Sequence, residues 1–298
     1  MARACRTLDF APSTCGSPAK HHALITDFPL PSTNQLLASL PPEIAELLHT
    51  RMERVSLSSG TLLYEAGRVL REVHFPVTAV VSLVSPLQDG ASVEVAVVGR
   101  EGVVGVCAYM GGGKALSSAL VQRDGLAWRL SARDIADMAR DFEPLMQQLL
   151  RYTQALFTQM AQTSACHRHH AVAPQLCRWL LLHLDCQVGD EMHITQERIA
   201  SMLGVRREGV TTAALQLQRA GLIRYRRGKL EVVDRSGLEQ QCCECYGVVR
   251  QAYQQLRSGS SVWPQPCGAS GRRSYGASHP IPVKGSLQGS AAMCLSTQ

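Results

Sequence analysis

The chain has 298 residues, 45% of them hydrophobic, and a formal net charge of +6 at pH 7. That length leaves room for two ordinary domains and a large core. No apolar run approaches the roughly 18 residues of a membrane helix, and the opening MARACRTLDFAPSTCGSPAKHH lacks the apolar core of a signal peptide. A cytoplasmic protein without a membrane partner is therefore expected. Eleven cysteines, an odd number, fit free thiols in a reducing compartment better than a disulfide framework.

Residues 1–34, rich in small residues and proline, are expected to form a disordered extension. A β-rich domain is expected over 35–140, opening with a short helix at 42–54 whose apolar face is Ile44, Leu47 and Leu48. Short apolar runs then follow, broken by glycine and proline. Those at 61–64, 73–75, 79–85, 93–98 and 126–130 predict the strands of a β-sandwich or β-roll. Gly60, Gly67, Gly90, Gly99, Gly102 and Gly105 fall at its corners. After Ser131 the period becomes helical. Leu145, Leu149, Tyr152, Leu156 and Met160 form a near-heptad stripe on a helix over 141–165. Packing inside one subunit is one reading of that stripe; a homodimer seam is the one preferred. A break at 167–174 precedes a helix at 175–185 with Leu176, Trp179, Leu180 and Leu182 as core, within a second domain spanning 166–257. A last helix is expected at 238–256, and the Ser, Gly and Pro-rich residues 258–298 are expected to be disordered.

The most informative stretch is 195–234, TQERIASMLGVRREGVTTAALQLQRAGLIRYRRGKLEVVD. Thr195 suits a helix N-cap, and Ile199, Met202 and Leu203 share one face of the helix it opens. Gly204 provides the left-handed exit. A second helix starts near Arg206 and Arg207, buries Val210, Ala214, Leu215 and Leu217, and stops at Gly221. Arg206, Arg207, Glu208, Thr211 and Thr212 lie near its N-terminus, where a helix entering the major groove presents side chains to base edges. Ile223 and Tyr225, then Arg226-Arg227-Gly228-Lys229, then Leu230, Val232 and Val233 read as a basic hairpin whose cations meet phosphates. The stretch carries a local positive excess suited to phosphate contacts. Thr195 and Gln196 complete the expected DNA-contacting set.

These residues resemble the Crp/Fnr superfamily of bacterial transcription regulators. The resemblance runs over roughly 40–256, is strongest in ITQERIASMLGVRREGVTTAALQLQRAGLI, and is weaker in GTLLYEAG at 60–67. It implies an α+β protein: an N-terminal, jelly-roll-like β-roll sensor of the cyclic-nucleotide-binding type, a long dimerisation helix and a C-terminal winged helix-turn-helix. It also implies a homodimer on double-stranded DNA, with RNA polymerase as a possible partner and an effector, small molecule or protein, that the sequence does not identify. Arg207 and Glu208 match the family's base-reading pair, and the chemistry agrees: a guanidinium forks onto guanine O6 and N7, and a carboxylate accepts from cytosine N4. Where many members have a second base-contacting arginine this chain has Thr212, so a different half-site is expected.

Members of the family that bind cyclic AMP carry a Gly-Glu pair and, about ten residues later, an arginine followed by a small residue. The matching positions here are Gly105-Val106 and Ser117-Ser118. Burying a phosphate without its cation costs several kcal/mol, so control by cyclic AMP is not expected. Gly111-Gly112-Gly113-Lys114 lacks the full phosphate-loop spacing and reads as a turn. Two cysteine groups stand out: Cys242, Cys243 and Cys245, and Cys166-His167-Arg168-His169-His170. Neither alone has the spacing of a four-ligand site. With only Cys5 and Cys15 near the N-terminus, the family's iron–sulfur branch is not matched. Buried or inert thiols and an exposed histidine hinge are therefore expected, with no metal and no cofactor; redox or metal sensing by the cysteines is the alternative. An enzyme built on Cys107 or Cys166 with a histidine is the remaining rival. No oxyanion site supports it, and no catalytic residue is assigned.

Overall fold

The computed structural model describes residues 33–111, 113–187 and 189–257. The expected disorder of 258–298 and of most of 1–34 falls outside those residues, as do Cys5, Cys15 and Gly112. The two last residues of the expected extension are described, and Asn34 is fully buried. Its amide donates to the carbonyls of Pro76 and Gly102, at 2.8 and 2.9 Å, while its carbonyl caps a short helix, α1 (Gln35–Ala38). Asn34 therefore fixes the start of the fold through all of its side-chain hydrogen-bonding groups.

The next helix, α2 (Pro42–His49), starts on proline, as helices often do, and ends earlier than expected because the chain turns into β1 (Glu53–Leu57). The following strands are β2 (Leu62–Tyr64), β3 (Glu72–Pro76), β4 (Val80–Pro86), β5 (Ser92–Val98), β6 (Ser118–Arg123) and β7 (Gly125–Ser131). They build two antiparallel sheets, ordered β1-β7-β3 and β2-β6-β4-β5. Burial sets the outcome: β4 is buried on both faces, with Val81 and Leu83 in one core and Val80 and Val84 in the other, while β1 shows a buried side chain only at Leu57. Trp128, Phe75, Leu130 and Val81 lie within the roll.

Helix α3 (Ala132–Asp141), capped by Ser131, leads to the long α4 (Glu143–His169) and then to α5 (Val172–Cys186). Gly102 shows why α4 lies so close to the roll: a Cβ there would fall 2.1 Å from the Tyr152 ring. The expected break at 167–174 shrinks to His170-Ala171, since α5 takes Pro174 in its first turn, where a missing N–H costs little.

The second domain continues with β8 (Glu191–His193), α6 (Gln196–Leu203), α7 (Arg207–Arg219), β9 (Ile223–Arg226) and β10 (Lys229–Val232). Its small sheet has the order β8-β10-β9. The single helix expected at 238–256 is two: α8 (Arg235–Gln241), capped by Asp234, and α9 (Glu244–Arg257), separated at Cys242-Cys243. Helix α9 lies along α4, with the Tyr253 hydroxyl 3.0 Å from Gln159 and the Tyr152 and Tyr253 rings 6.3 Å apart.

The β-roll and the second domain also meet through a buried polar contact. Glu94 on β5 and His183 on α5 are 6% and 3% exposed. His183 Nε2 is 3.1 Å from a Glu94 carboxylate oxygen, and Ser82 donates to the other.

Candidate nucleic-acid interface and a cysteine–histidine cluster

Helix α6 forms where Thr195 accepts the Arg198 N–H at 3.2 Å and ends at Gly204, which adopts φ 65°. A side chain is excluded at Gly204 twice over: the left-handed backbone disfavours one, and a Cβ would sit 2.7 Å from Val93 on β5. Helix α7 buries Val210, Ala213, Ala214 and Leu217 against the rest of the domain. Leu215, expected in that core, is 45% exposed instead. It stands one turn beyond Thr211 and Thr212, on the side away from the core, and Ala213 fills the inner position.

Arg206, Arg207, Glu208 and Thr212 are exposed at the start of α7. The expected set does not behave as one group. Thr211 donates to Gln196 at 2.8 Å, so these two side chains tie α7 to α6. Thr212 donates back to the Glu208 carbonyl at 3.0 Å, a one-turn bond common for helical threonines. Arg207 faces Glu197 at 3.8 Å with both groups exposed. In water such a pair is worth little.

The hairpin tip is a two-residue turn, Arg227-Gly228, with φ of 50° and 78°. Two positive φ angles in succession match the right-handed twist of the strands they join. Arg226 and Lys229 therefore pair across the strand ends rather than lying in the tip. Lys229 binds Glu191 at 2.7 Å, whereas Arg226 and Arg227 make no ion pair among the described residues. Tyr225, not singled out from the sequence as a contact residue, sets the hairpin's position: its hydroxyl donates to Ile194 O at 2.8 Å, and its N–H donates to Gln218 at 2.9 Å. A concave surface of about 270 Å³ results, lined by Thr195, Gln196, Arg207, Tyr225, Arg227 and Gly228. It joins a helix N-terminus to two guanidinium groups, an arrangement that suits a phosphate.

The expected dimer stripe needs correction. Leu145, Leu149, Tyr152 and Leu156 are buried in this chain's own core, with Met160 partly buried beside them. The reason is geometric: α4 lies on the β-roll along one side and under α9 along another, so its most apolar face is consumed within the subunit. The surface left on α4 carries Gln147, Leu150, Gln154, Phe157 and Ala161.

Of the expected effector positions, Val106 is buried in a single 3-10 turn after Gly105, and Ser117 and Ser118 are buried. The Ser118 hydroxyl accepts the Ala66 N–H at 3.0 Å. A cavity of about 690 Å³ lies elsewhere, where α1, α4, α5 and α9 meet, with Arg100, Glu101, Gln148 and Gln159 in its lining. Burial pushes the Glu101 carboxyl above the usual carboxylate range, and one of its oxygens is buried without a hydrogen-bond partner among the described residues.

The two cysteine groups, separate in sequence, meet in space. Cys166, His170, Cys243 and Cys245 bring three sulfurs and one ring nitrogen within 4.8 Å of one another. Hydrogen bonds from Cys166 and Cys242 draw thiolate character onto Cys243, whose pKa falls well below that of an ordinary thiol. The expected burial holds for two of these thiols, and Arg168 and His169 are exposed as expected of the hinge, but His170 is partly buried and joins the thiols. Cys166 and Cys245 are fully buried and belong to one cluster.

A β-roll joined by a long helix to a winged helix-turn-helix is the architecture of a two-domain DNA-binding regulator, and comparison with known proteins agrees. Residues 54–142 match the cyclic nucleotide-binding domain, and residues 174–241 match the Crp-like helix-turn-helix domain. The two matches together span just over half of the chain. The chain belongs to the Crp/Fnr superfamily of transcription regulators. Solved structures share the fold. FixK2 from Bradyrhizobium japonicum is 17% identical with a TM-score of 0.56, covering 64% of this chain and 98% of its own. A CRP-family transcriptional regulator from Thermus thermophilus is 20% identical with a TM-score of 0.53, covering 63% and 95%. The c-di-GMP-responsive global regulator CLP from Xanthomonas campestris is 13% identical with a TM-score of 0.51, covering 64% and 99%. A search of curated protein sequences gave no match. No helix among the described residues is long and apolar enough to cross a membrane.

Proposed function

We propose that this protein is a homodimeric, sequence-specific transcription regulator that reads a pseudo-palindromic DNA site and does not take its signal from cyclic AMP. The observation that carries the reading is the shared surface of α7 and the hairpin. Arg207 borders the same concavity as Arg227, so one docking pose offers base-reading groups to the major groove and cations to the flanking phosphates. Arg207 and Glu208 read bases, Arg206 contacts a phosphate or a neighbouring base, and Arg226, Arg227 and Lys229 hold the backbone. Thr195, Gln196 and Thr211 keep the two helices in place. No catalytic role is assigned, and the site of action is the bacterial cytoplasm.

The dimer forms through the outer face of α4. Gln147, Leu150, Gln154, Phe157 and Ala161 follow the alternating three- and four-residue steps of a coiled-coil seam. Leu150 and Phe157 are 51% and 43% exposed, unusual for large apolar side chains on one helix. Replacing Phe157 by Glu should convert the dimer to a monomer in sedimentation. DNA affinity should fall on the order of a hundredfold or more, because two linked half-sites become one.

Cyclic AMP lacks its anchors. Val106 replaces a carboxylate for the ribose, Ser118 is engaged with Ala66, and the Lys114 side chain is exposed. The junction cavity, sized within the range of small-molecule sites, is a better place for an effector. A ligand there would shift the population of sensor–reader arrangements. Selection of bound sequences from random duplexes by the purified full-length protein, with and without cyclic AMP, tests the whole reading. Two inverted half-sites about one helical turn apart, unchanged by the nucleotide, are expected. An asymmetric single site, no enrichment, or enrichment only with cyclic AMP would refute it.

A further inference from the structure

We infer that Cys166, His170, Cys243 and Cys245 form a closed, four-coordinate Zn2+ site that clamps the end of α4 to the α8–α9 junction. This inference is independent of DNA sequence reading and rests on the cluster's own geometry. Cys166 and His170 stand one turn apart at the C-terminal end of α4, so both face the same side. Cys243 lies in the break between α8 and α9, and Cys245 in the first turn of α9. The Cys166 and Cys243 sulfurs are 3.6 Å apart, and the Cys245 sulfur is 3.5 Å from His170 Nδ1. Zinc–sulfur and zinc–nitrogen bonds of ordinary length, set tetrahedrally, separate two sulfurs by about 3.8 Å and sulfur from nitrogen by about 3.5 Å. These two separations already lie close to those spacings.

Their surroundings supply what a metal site needs around its ligands. His170 Nε2 faces Glu244 Oε1 at 3.3 Å, which holds a proton on that nitrogen and turns Nδ1 toward the sulfurs. Gln162 donates to the Cys245 sulfur at 3.2 Å. Gln175 donates to the carbonyl of His170 at 2.7 Å and fixes the end of α4. Three thiolates and Zn2+ leave one net negative charge. Arg178, buried and bonded to Thr163 at 2.9 Å, stands near enough to act on the charge of Cys166.

Other uses of the cluster fit less well. A disulfide requires sulfurs about 2.05 Å apart, and one bridge would leave two donors unused. An iron–sulfur cluster spreads its ligands over two or more metal centres, whereas here every donor lies within 4.8 Å of every other. A single ion of tetrahedral preference with soft ligands points to zinc. Four protein ligands leave no open position, so the site is structural rather than hydrolytic. On binding, each remaining thiol proton passes to solvent and each sulfur forms one bond to the ion.

The test uses the full-length chain, reduced, stripped with chelator and reloaded anaerobically with Zn2+ or Co2+. About one equivalent of either metal should remain after desalting. The Co2+ form should show the visible bands of tetrahedral cobalt and the near-ultraviolet transitions of thiolate bonding. The C243S/C245S variant should lose both, and C107S, whose thiol lies in the β-roll, should keep both. His170→Ala should bind more weakly, and His170→Cys should restore binding with stronger thiolate transitions. The wild-type measurement is decisive by itself, even where the double variant fails to fold. Metal content at background after loading, cobalt without thiolate transitions, or a Cys166–Cys243 disulfide in the anaerobic protein overturns the assignment.

Discussion

The DNA-facing surface and the junction between the β-roll and the helix-turn-helix domain are built on opposite plans. The first comes from one stretch of 40 residues, 195–234, whose functional side chains are exposed and make few demanding contacts. The second joins residues far apart in the chain: Glu94 with His183, Tyr152 with Tyr253, and Cys166 with Cys243. Its polar groups are buried, so each depends on a partner. The difference separates two kinds of sensitivity. Changes on the reader should alter recognition while leaving the fold intact, and changes at the junction should cost stability before they alter recognition.

The largest effect should follow from breaking the Glu94–His183 contact. Glu94→Ala leaves His183 and Ser82 buried without their shared acceptor. Each buried group left without its hydrogen-bond partner costs about 1–3 kcal/mol. Denaturant unfolding should report that loss, and a change under about 1 kcal/mol would show that water replaces the carboxylate. Next comes His74, which β3 buries in the β-roll. Burial, with Arg129 adding to it, pushes its pKa down to about 4. Glu72 stands 4.0 Å from the ring but is itself paired with Arg129 at 3.3 Å. The folded protein therefore holds His74 neutral where the unfolded chain would protonate it near pH 6.5. Its stabilising contribution is complete above about pH 6.5 and is lost as the pH falls toward 4, by about 3 kcal/mol in all. His74→Gln should flatten that part of the stability profile, and an unchanged profile would place the pH dependence elsewhere.

What the sequence shows follows the same division. The helix pair is legible because its signals are local: Thr195 at an N-cap, Gly204 at an exit, and apolar positions at helical spacing between them. The hairpin is legible because Arg227-Gly228 demands a tight turn. The α4 stripe misleads because a heptad pattern records only that a face is buried. Leu145 and Tyr152 pack into the same chain, and no local pattern states which surface covers them. The break at Cys242-Cys243 is hidden because Leu238, Tyr246 and Val249 continue an apolar helical pattern on either side of it. The cysteine–histidine cluster is out of reach for the plainest reason. Its halves lie 77 residues apart, and neither half has a four-ligand spacing of its own.

On the reader the expected costs are smaller and fall on recognition. Arg207→Ala should weaken binding to the selected site by about 1–3 kcal/mol and relax preference at one base position. Equal weakening on every duplex would make Arg207 a phosphate clamp, and thermal unfolding should be unaffected in either case because the side chain is exposed. The smallest effect belongs to the hairpin. Arg226→Ala or Arg227→Ala removes one phosphate contact, so the slope of log affinity against log salt should fall by about 1 for each hairpin that engages DNA. Base preference should stay as it was. Lys229→Ala is the informative control, since Lys229 is already held by Glu191 at 2.7 Å. If it changes the slope less than either arginine, that ion pair survives on DNA and the two arginines hold the backbone. If all three change the slope equally, Lys229 leaves Glu191 for a phosphate, and the hairpin rearranges as it docks.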